Sequence, residues 1–168
     1  MDIRITPCSR DELFHRFAEL GIQVSTTEHA PVFTVEEAQT LRGEIPGGHC
    51  KNLFLKDKKG TLWLVVALED AQIDLKSLHH KIGAARLSFG SAELLEEVLG
   101  VKPGSVTPFA LINDRSNRVK VVLDAQMMEH ELLNYHPLQN NATTTIAAKD
   151  LLRFIRSCGH DPMVVEIR

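Results

Sequence analysis

The chain has 168 residues, is 43% hydrophobic and 24% charged, and carries a formal net charge of −3. That length and composition suit one soluble domain spanning 1–168, and they exclude a protein whose whole surface attracts polyanions. A nucleic-acid partner must then meet a local basic patch. Cys8, Cys50 and Cys158 are widely spaced, with no CxxC, which argues against a disulfide framework and fits a reducing cytoplasm. The N-terminal MDIRITPCSRDELFHRF lacks the apolar run of a signal peptide, and no stretch nears the ~20 apolar residues of a membrane span. The expectation is a cytoplasmic protein with no membrane association.

Ser9 and Glu12 form a capping-box pattern, followed by Leu13, Phe14, Phe17 and Leu20 at helical spacing and a stop at Gly21. IQVSTTEH alternates as a short strand does. Thr34 with Glu37 repeats the capping box for a helix ending near Arg42 and Gly43. KNLFLKD and TLWLVVALE flank KKG and predict a hairpin. Asp74 and Ser91 cap two short helices, the second stopping at Gly100. Pro103-Gly104 predicts a turn, FALI a strand, NDRSN a second turn and RVKVVLDA the partner strand of a second hairpin. ATTTIA reads as a strand, KDLLRFIRSCG as an amphipathic helix and MVVEI as a final strand. Two hairpins mixed with helices predict an α+β arrangement, a mixed and largely antiparallel sheet flanked by helices, not an alternating βαβ array. No dinucleotide or phosphate-loop fingerprint is present, and Gly47-Gly48 alone reads as a turn.

Several residues could carry chemistry. Lys51 follows the Gly loop and opens the predicted strand, so its ammonium reaches a cavity edge while its stem packs on apolar neighbours. It suits a phosphate or carboxylate contact, a lowered-pKa nucleophile, or a plain strand-end lysine. Asn52 alternates to the opposite face of a regular strand. Cys50 beside His49 and Lys51 is either a nucleophile or a small buried thiol, and strand alternation disfavours the first. The histidines show no HxxxH or HxH spacing, which gives a metal site little support. His136 precedes Pro137, which holds its backbone extended, and Asn140, Asn141 and Thr143 to Thr145 supply neutral hydrogen-bonding groups suited to the wall of a small pocket. The turn at Gly104 and Ser105 offers backbone N–H groups for a carbonyl or oxyanion. Lys56, Lys58, Lys59 and Arg115, Arg118, Lys120 form two basic groups at predicted hairpin ends.

Taken in order, GGHCKNLFLKDKKG, LGVKPGSVTPFAL and HPLQNNATTTI resemble the bacterial editing domains that include the insertion domain of prolyl-tRNA synthetase. Order, spacing and length are most similar to the free-standing alanyl-tRNA(Pro) deacylase branch, and the resemblance runs from EHAPVFTVEEA to the last helix. It implies a hydrolase that removes alanine from the 3′ end of proline tRNA. Lys51 is then the key functional residue, Asn52 its neighbour in the motif, Gly104 the glycine of the P-G-S-V-T-P-F turn and His136 the histidine of H-P-L. The same resemblance implies no cofactor, no metal and no protein nucleophile. Asn52, Ser105, Asn140 and Thr143 are expected substrate contacts. Partners expected are the acceptor end of tRNA(Pro) and prolyl-tRNA synthetase.

Physical chemistry agrees with such a task. A synthetase pocket built for proline admits alanine, and a few missing methylenes give only roughly 1–3 kcal/mol of discrimination. A second site must hydrolyse what slips through. The aminoacyl ester is already activated, so orientation and oxyanion donors supply much of the acceleration. Close alternatives are a deacylase for cysteinyl-tRNA(Pro) or another small aminoacyl-tRNA, and a module that binds tRNA or synthetase without turnover.

Overall fold

Ser9 starts the first helix as its spacing predicts. Its hydroxyl accepts from the Glu12 N–H while the Glu12 carboxylate accepts from the Ser9 N–H, and α1 (Arg10–Glu19) buries Leu13 and Phe17. The computed structural model describes residues 6–31, 36, 37, 40, 43 and 45–167. The capping box read at Thr34 and the helix stop at Arg42 lie outside the described residues.

Eight strands form among the described residues: β1 (Val24–Glu28), β2 (Gly48–Asp57), β3 (Leu62–Leu68), β4 (Leu87–Phe89), β5 (Val119–Asp124), β6 (Leu132–Tyr135), β7 (Ala142–Ala147) and β8 (Met163–Val165). They form one sheet in the order β1-β7-β6-β2-β3-β5-β8, with β4 also on β2. Four pairings are antiparallel, and β2–β6, β3–β5 and β5–β8 are parallel. The sheet is mixed, as the sequence predicts.

Two expectations fail. FALI is not a strand: Pro108–Asn113 forms a fully buried 3-10 helix. Thr107 accepts from the Phe109 N–H and Pro108 sits in the first turn, a helix-start pattern that a short apolar run hides. The second hairpin therefore does not exist; β5 runs parallel to β3 instead. The first predicted hairpin forms as β2 with β3, and a second, β6 with β7, encloses HPLQNN.

Both sheet faces are covered. Phe54, Leu64, Val66, Val121 and Leu123 face the larger core, with α1, α3 (Ala92–Leu99) and α4 (Ala148–Ser157). Phe109 is its hub, edge-on to Phe17, Tyr135 and Phe154 at 5.2, 5.6 and 5.6 Å. Leu55, Trp63, Val65, Ala67 and Val122 face the smaller core, closed by Leu78 and Ile82 of α2 (Leu75–Ile82). Asp74 caps α2 and Gly83 ends it, as predicted.

A buried carboxylate organises the tip of the β2–β3 hairpin. Asp57 accepts from the N–H groups of Lys59, Thr61 and Ala85 and from the Trp63 indole, at 2.9 to 3.3 Å. Burial alone would raise its pKa, but these four donors outweigh it and hold the carboxyl below its usual 3.8. Asp57→Ala should cost about 3 kcal/mol in urea denaturation at pH 7, because it strands buried donors. A carboxyl with a depressed folded pKa stabilises above its unfolded pKa and stops doing so as pH falls through the folded one. The deficit of the variant should therefore shrink below pH ~4, and a pH-independent deficit would contradict this role.

Candidate active site

The site begins where one edge of β2 changes partner. β6 pairs with β2 only at Gly48 and His49, and β4 takes over the same edge from Leu55 to Asp57. The Gly90 N–H donates to the Phe54 carbonyl at 2.9 Å and marks the arrival of β4. Between these pairings the edge along Cys50–Leu53 lies in a fork. Gly47 makes the approach of β6 possible. Its φ is +101°, and a Cβ there would stand 2.9 Å from the Leu132 carbonyl oxygen. The Gly47-Gly48 pair is thus structural, with Gly48 already inside β2.

Lys51 sits in this fork. It is the fourth residue of β2, not the first, because the strand begins at Gly48. It opposes Ala67 on β3, and its half-buried side chain donates from Nζ to the Ala71 carbonyl oxygen. The small Ala67 leaves the stem room on the face shared with Leu53 and Leu55. Asn52 opposes Val66, so it points to the other face, as alternation predicts. Its Oδ1 is buried and has no hydrogen-bond partner. An unmet buried acceptor of this kind costs about 1–3 kcal/mol.

His136 follows β6 directly. β6 parts from β2 after the His49–Asn134 pair, so His136 lies on the β6 side of the fork. Its Nδ1 lies 2.9 Å from the Ala142 carbonyl oxygen, so Nδ1 carries the proton and Nε2 the lone pair in the neutral ring. Burial lowers its pKa from the ordinary 6.5, the Ala142 carbonyl opposes that, and the nearby His29 lowers it again. The ring is therefore neutral near pH 7, with an acceptor nitrogen that no described residue claims.

Thr143 and His29 complete this side. Thr143 is buried, and the β6–β7 register continues to place it opposite His136. The His29 Nδ1 is 2.8 Å from the Ala30 carbonyl and must donate, so Nε2 accepts from the Thr143 hydroxyl at 2.8 Å in the neutral ring. The two histidine rings are 6.3 Å apart. Metal spacing is a poor guide to His29. Its signal is the alternation Ser25, Thr27, His29, which carries one polar face of β1 beyond the strand.

The loop between β6 and β7 brings in the remaining groups. Leu138 holds φ at 71°, a left-handed conformation that costs a non-glycine residue on the order of 1 kcal/mol. Asn140 beyond it approaches the Pro103–Ser105 turn: a Cβ on Gly104 would lie 3.5 Å from the Asn140 Nδ2. That is an ordinary contact, so the fold itself does not demand glycine at 104. Ser105 is buried and its N–H donates to the Lys102 carbonyl at 2.8 Å. Of the two expected carbonyl donors, the Ser105 N–H is thus committed to the turn. Asn141 instead holds Arg10, which also pairs with Glu28.

His136 and Thr143 stand opposite each other and Asn140 reaches the Gly104 turn, while Lys51 lies on the β2 side of the fork and Asn52 on the other face of that strand. Cys50 sits on the Asn52 face against the larger core, and burial pushes its thiol up to about 12. That is the inert thiol, not the nucleophile. Lys58 and Lys59 are exposed at the β2–β3 turn. Arg115, Arg118 and Lys120 are not at a hairpin end but at the start of β5, where Lys120 lies beside Trp63. The parallel β3–β5 register brings both basic groups to the same end of the sheet. Arg118 is partly neutralised by Glu97 at 3.7 Å. Among the described residues, no helix is long and apolar enough to cross a membrane.

A lysine held by a neutral carbonyl can bind an anionic ligand tail, and a neutral histidine with a fixed tautomer can orient a polar group. Comparison with known proteins agrees with the resemblance that the three motifs carry. Residues 29–154 match the family model described as an aminoacyl-tRNA editing domain. The chain is 41% identical over 161 residues to the bovine prolyl-tRNA synthetase associated domain-containing protein 1, covering 93% of this chain and 94% of that one. It is 36% identical to the prolyl-tRNA editing protein ProX of Acetoanaerobium sticklandii, covering 95% and 98%. A solved structure described as a candidate trans-editing enzyme for prolyl tRNA synthetase shares the fold, with a TM-score of 0.67 at 18% identity over 95% of this chain and 98% of the other. The chain belongs to the family of aminoacyl-tRNA editing domains, enzymes of the aminoacyl-tRNA deacylase class.

Proposed function

We propose that this chain is a single editing domain that deacylates alanyl-tRNA(Pro). The observation that carries the reading is the Lys51 ammonium resting on the neutral Ala71 carbonyl in the fork of β2, with His136, just past the end of β6, held in one tautomer by the Ala142 carbonyl. The relationship to the ProX editing protein supports proline tRNA as the acceptor.

In this reading Lys51 exchanges the Ala71 carbonyl for a phosphate oxygen of the terminal adenosine and anchors the ester; it forms no covalent bond. The Gly104 N–H donates to the aminoacyl carbonyl as negative charge builds there. The neutral His136 accepts at Nε2 from the α-ammonium of the alanine, which sets the orientation of the ester. Asn140 and Thr143 line the small acyl pocket, and Asn52 supports the fork from behind. The 2′-hydroxyl of the substrate ribose positions water. Water adds to the carbonyl carbon, the bond to the ribose 3′-oxygen breaks, and that oxygen takes the proton. The products are free alanine and tRNA with a 3′-hydroxyl. No protein nucleophile is needed, which agrees with the inert Cys50 thiol.

The direct test is single-turnover hydrolysis of alanyl-tRNA(Pro). Lys51→Ala should lower kcat/KM by about 100-fold or more, roughly 2.7 kcal/mol of transition-state stabilisation. Near-full activity in that variant would remove the proposed anchor. Gly104→Ala should keep the wild-type Tm, since its methyl meets only an ordinary contact, yet lose most of the activity because the methyl occupies the carbonyl position. A variant equal to wild type in both would show that the turn does not touch the substrate.

Two further measurements use the titrating groups. With His136 needed neutral and its pKa pushed below 6.5, the rate should stay level as pH falls through 6.5 and drop only at lower pH. A drop centred at or above 6.5 would contradict that role. Native Cys50 should react with iodoacetamide at pH 8 about a thousandfold more slowly than in urea, given its thiol near 12 against the ordinary 9.0, as peptide mass spectrometry can follow. Comparable rates would return the thiol to consideration.

A further inference from the structure

Phe89 is the most exposed large apolar side chain among the described residues, at 65%. It ends β4 and opposes Leu55 of β2. Residues directly opposite in an antiparallel pair share a face, so Phe89 stands on the face of Leu55, Leu53 and Lys51. Leu55 lies four residue steps along the strand from Lys51, a distance of roughly 13 Å. The backbone there is firmly placed. Gly90 bonds to the Phe54 carbonyl, and a Cβ on it would sit 2.5 Å from the Phe54 ring, so β4 is pressed onto the core while the neighbouring ring is left in solvent. Further along the same hairpin, Lys58 and Lys59 are exposed, and no ion pair among the described residues occupies them.

An anchored lysine, then an exposed aromatic ring, then free lysines make a path with the chemistry of single-stranded RNA. Every unpaired base has a face that stacks on an aromatic ring, and the backbone needs cations along its course. We propose that Phe89 is a stacking platform for the single-stranded 3′ tail of the tRNA, upstream of the esterified nucleotide at Lys51, with Lys58 and Lys59 meeting phosphates where the tail joins the acceptor helix. This rests on the deacylase reading of the same site. Phe89 acts on capture of the tail and does not touch the ester. It therefore lets the enzyme prefer a charged tRNA to a free amino-acid ester without reading tRNA sequence.

The test crosses the protein side chain with the RNA tail. Binding of uncharged tRNA(Pro), intact or with its single-stranded 3′ tail removed, is measured for wild type, Phe89→Ala and Phe89→Tyr. Wild type should bind the intact tRNA about five- to tenfold more tightly than the truncated one. Phe89→Ala should lose that preference and Phe89→Tyr should retain it. In hydrolysis, Phe89→Ala should raise KM for alanyl-tRNA(Pro) by about five- to tenfold with kcat unchanged, and leave the alanyl ester of adenosine hydrolysed as by wild type. Undiminished tail preference in Phe89→Ala overturns the proposal. So does an equal loss on the adenosine ester, which places the effect on the folding of the site, or a ring that binds another protein and not RNA. The binding arm stands whether or not the chain turns over alanine. Failure of the deacylase reading would appear separately, as wild type bound to tRNA without hydrolysis.

Discussion

The site depends on one strand edge having two partners. β2 gives its edge to β6 at Gly48 and His49 and to β4 from Leu55, and the two partners diverge between. A continuous neighbour would have paired that edge and filled the space with ladder hydrogen bonds. The divergence does not open the core, because the other edge stays fully paired to β3 from Cys50 to Lys56. A rigid sheet can therefore hold polar side chains precisely at a cleft.

The energetics follow from that geometry. Both faces of the central strands are buried, so each polar group at the fork must find a partner or cost stability. Lys51 satisfies its ammonium on the Ala71 carbonyl, a neutral acceptor that a phosphate oxygen can replace. His29 is held between the Ala30 carbonyl and the Thr143 hydroxyl, and His136 donates from Nδ1 to the Ala142 carbonyl. Asn52 is left with an unmet acceptor and Leu138 with a left-handed backbone. Asn52 sits on β2 along the fork and Leu138 on the β6–β7 loop.

Much of this was legible in residue order. The capping residues Ser9, Asp74 and Ser91 and the stops at Gly83 and Gly100 mark helices by local chemistry alone. His136 and Thr143 face each other across β6 and β7, and Asn140 reaches the Gly104 turn. What sequence concealed was non-local. FALI looks equally like strand or buried helix until Thr107 and Pro108 are read as a helix start. The short β4 and β6 carry too few residues to show a period, yet they make the fork. The committed N–H of Ser105 and the partner of His29 depend on contacts that no spacing encodes.

The central claim is that the Lys51 ammonium leaves its internal acceptor to hold the nucleotide end of the substrate. Crystals grown with a hydrolysis-resistant 3′-alanylamino analogue of adenosine 5′-monophosphate test it directly. The account predicts Nζ of Lys51 about 3 Å from a phosphate oxygen, parted from the Ala71 carbonyl, with the alanyl group between His136 and Gly104. An analogue seated in the fork with its phosphate elsewhere, and Lys51 still on Ala71, would contradict it.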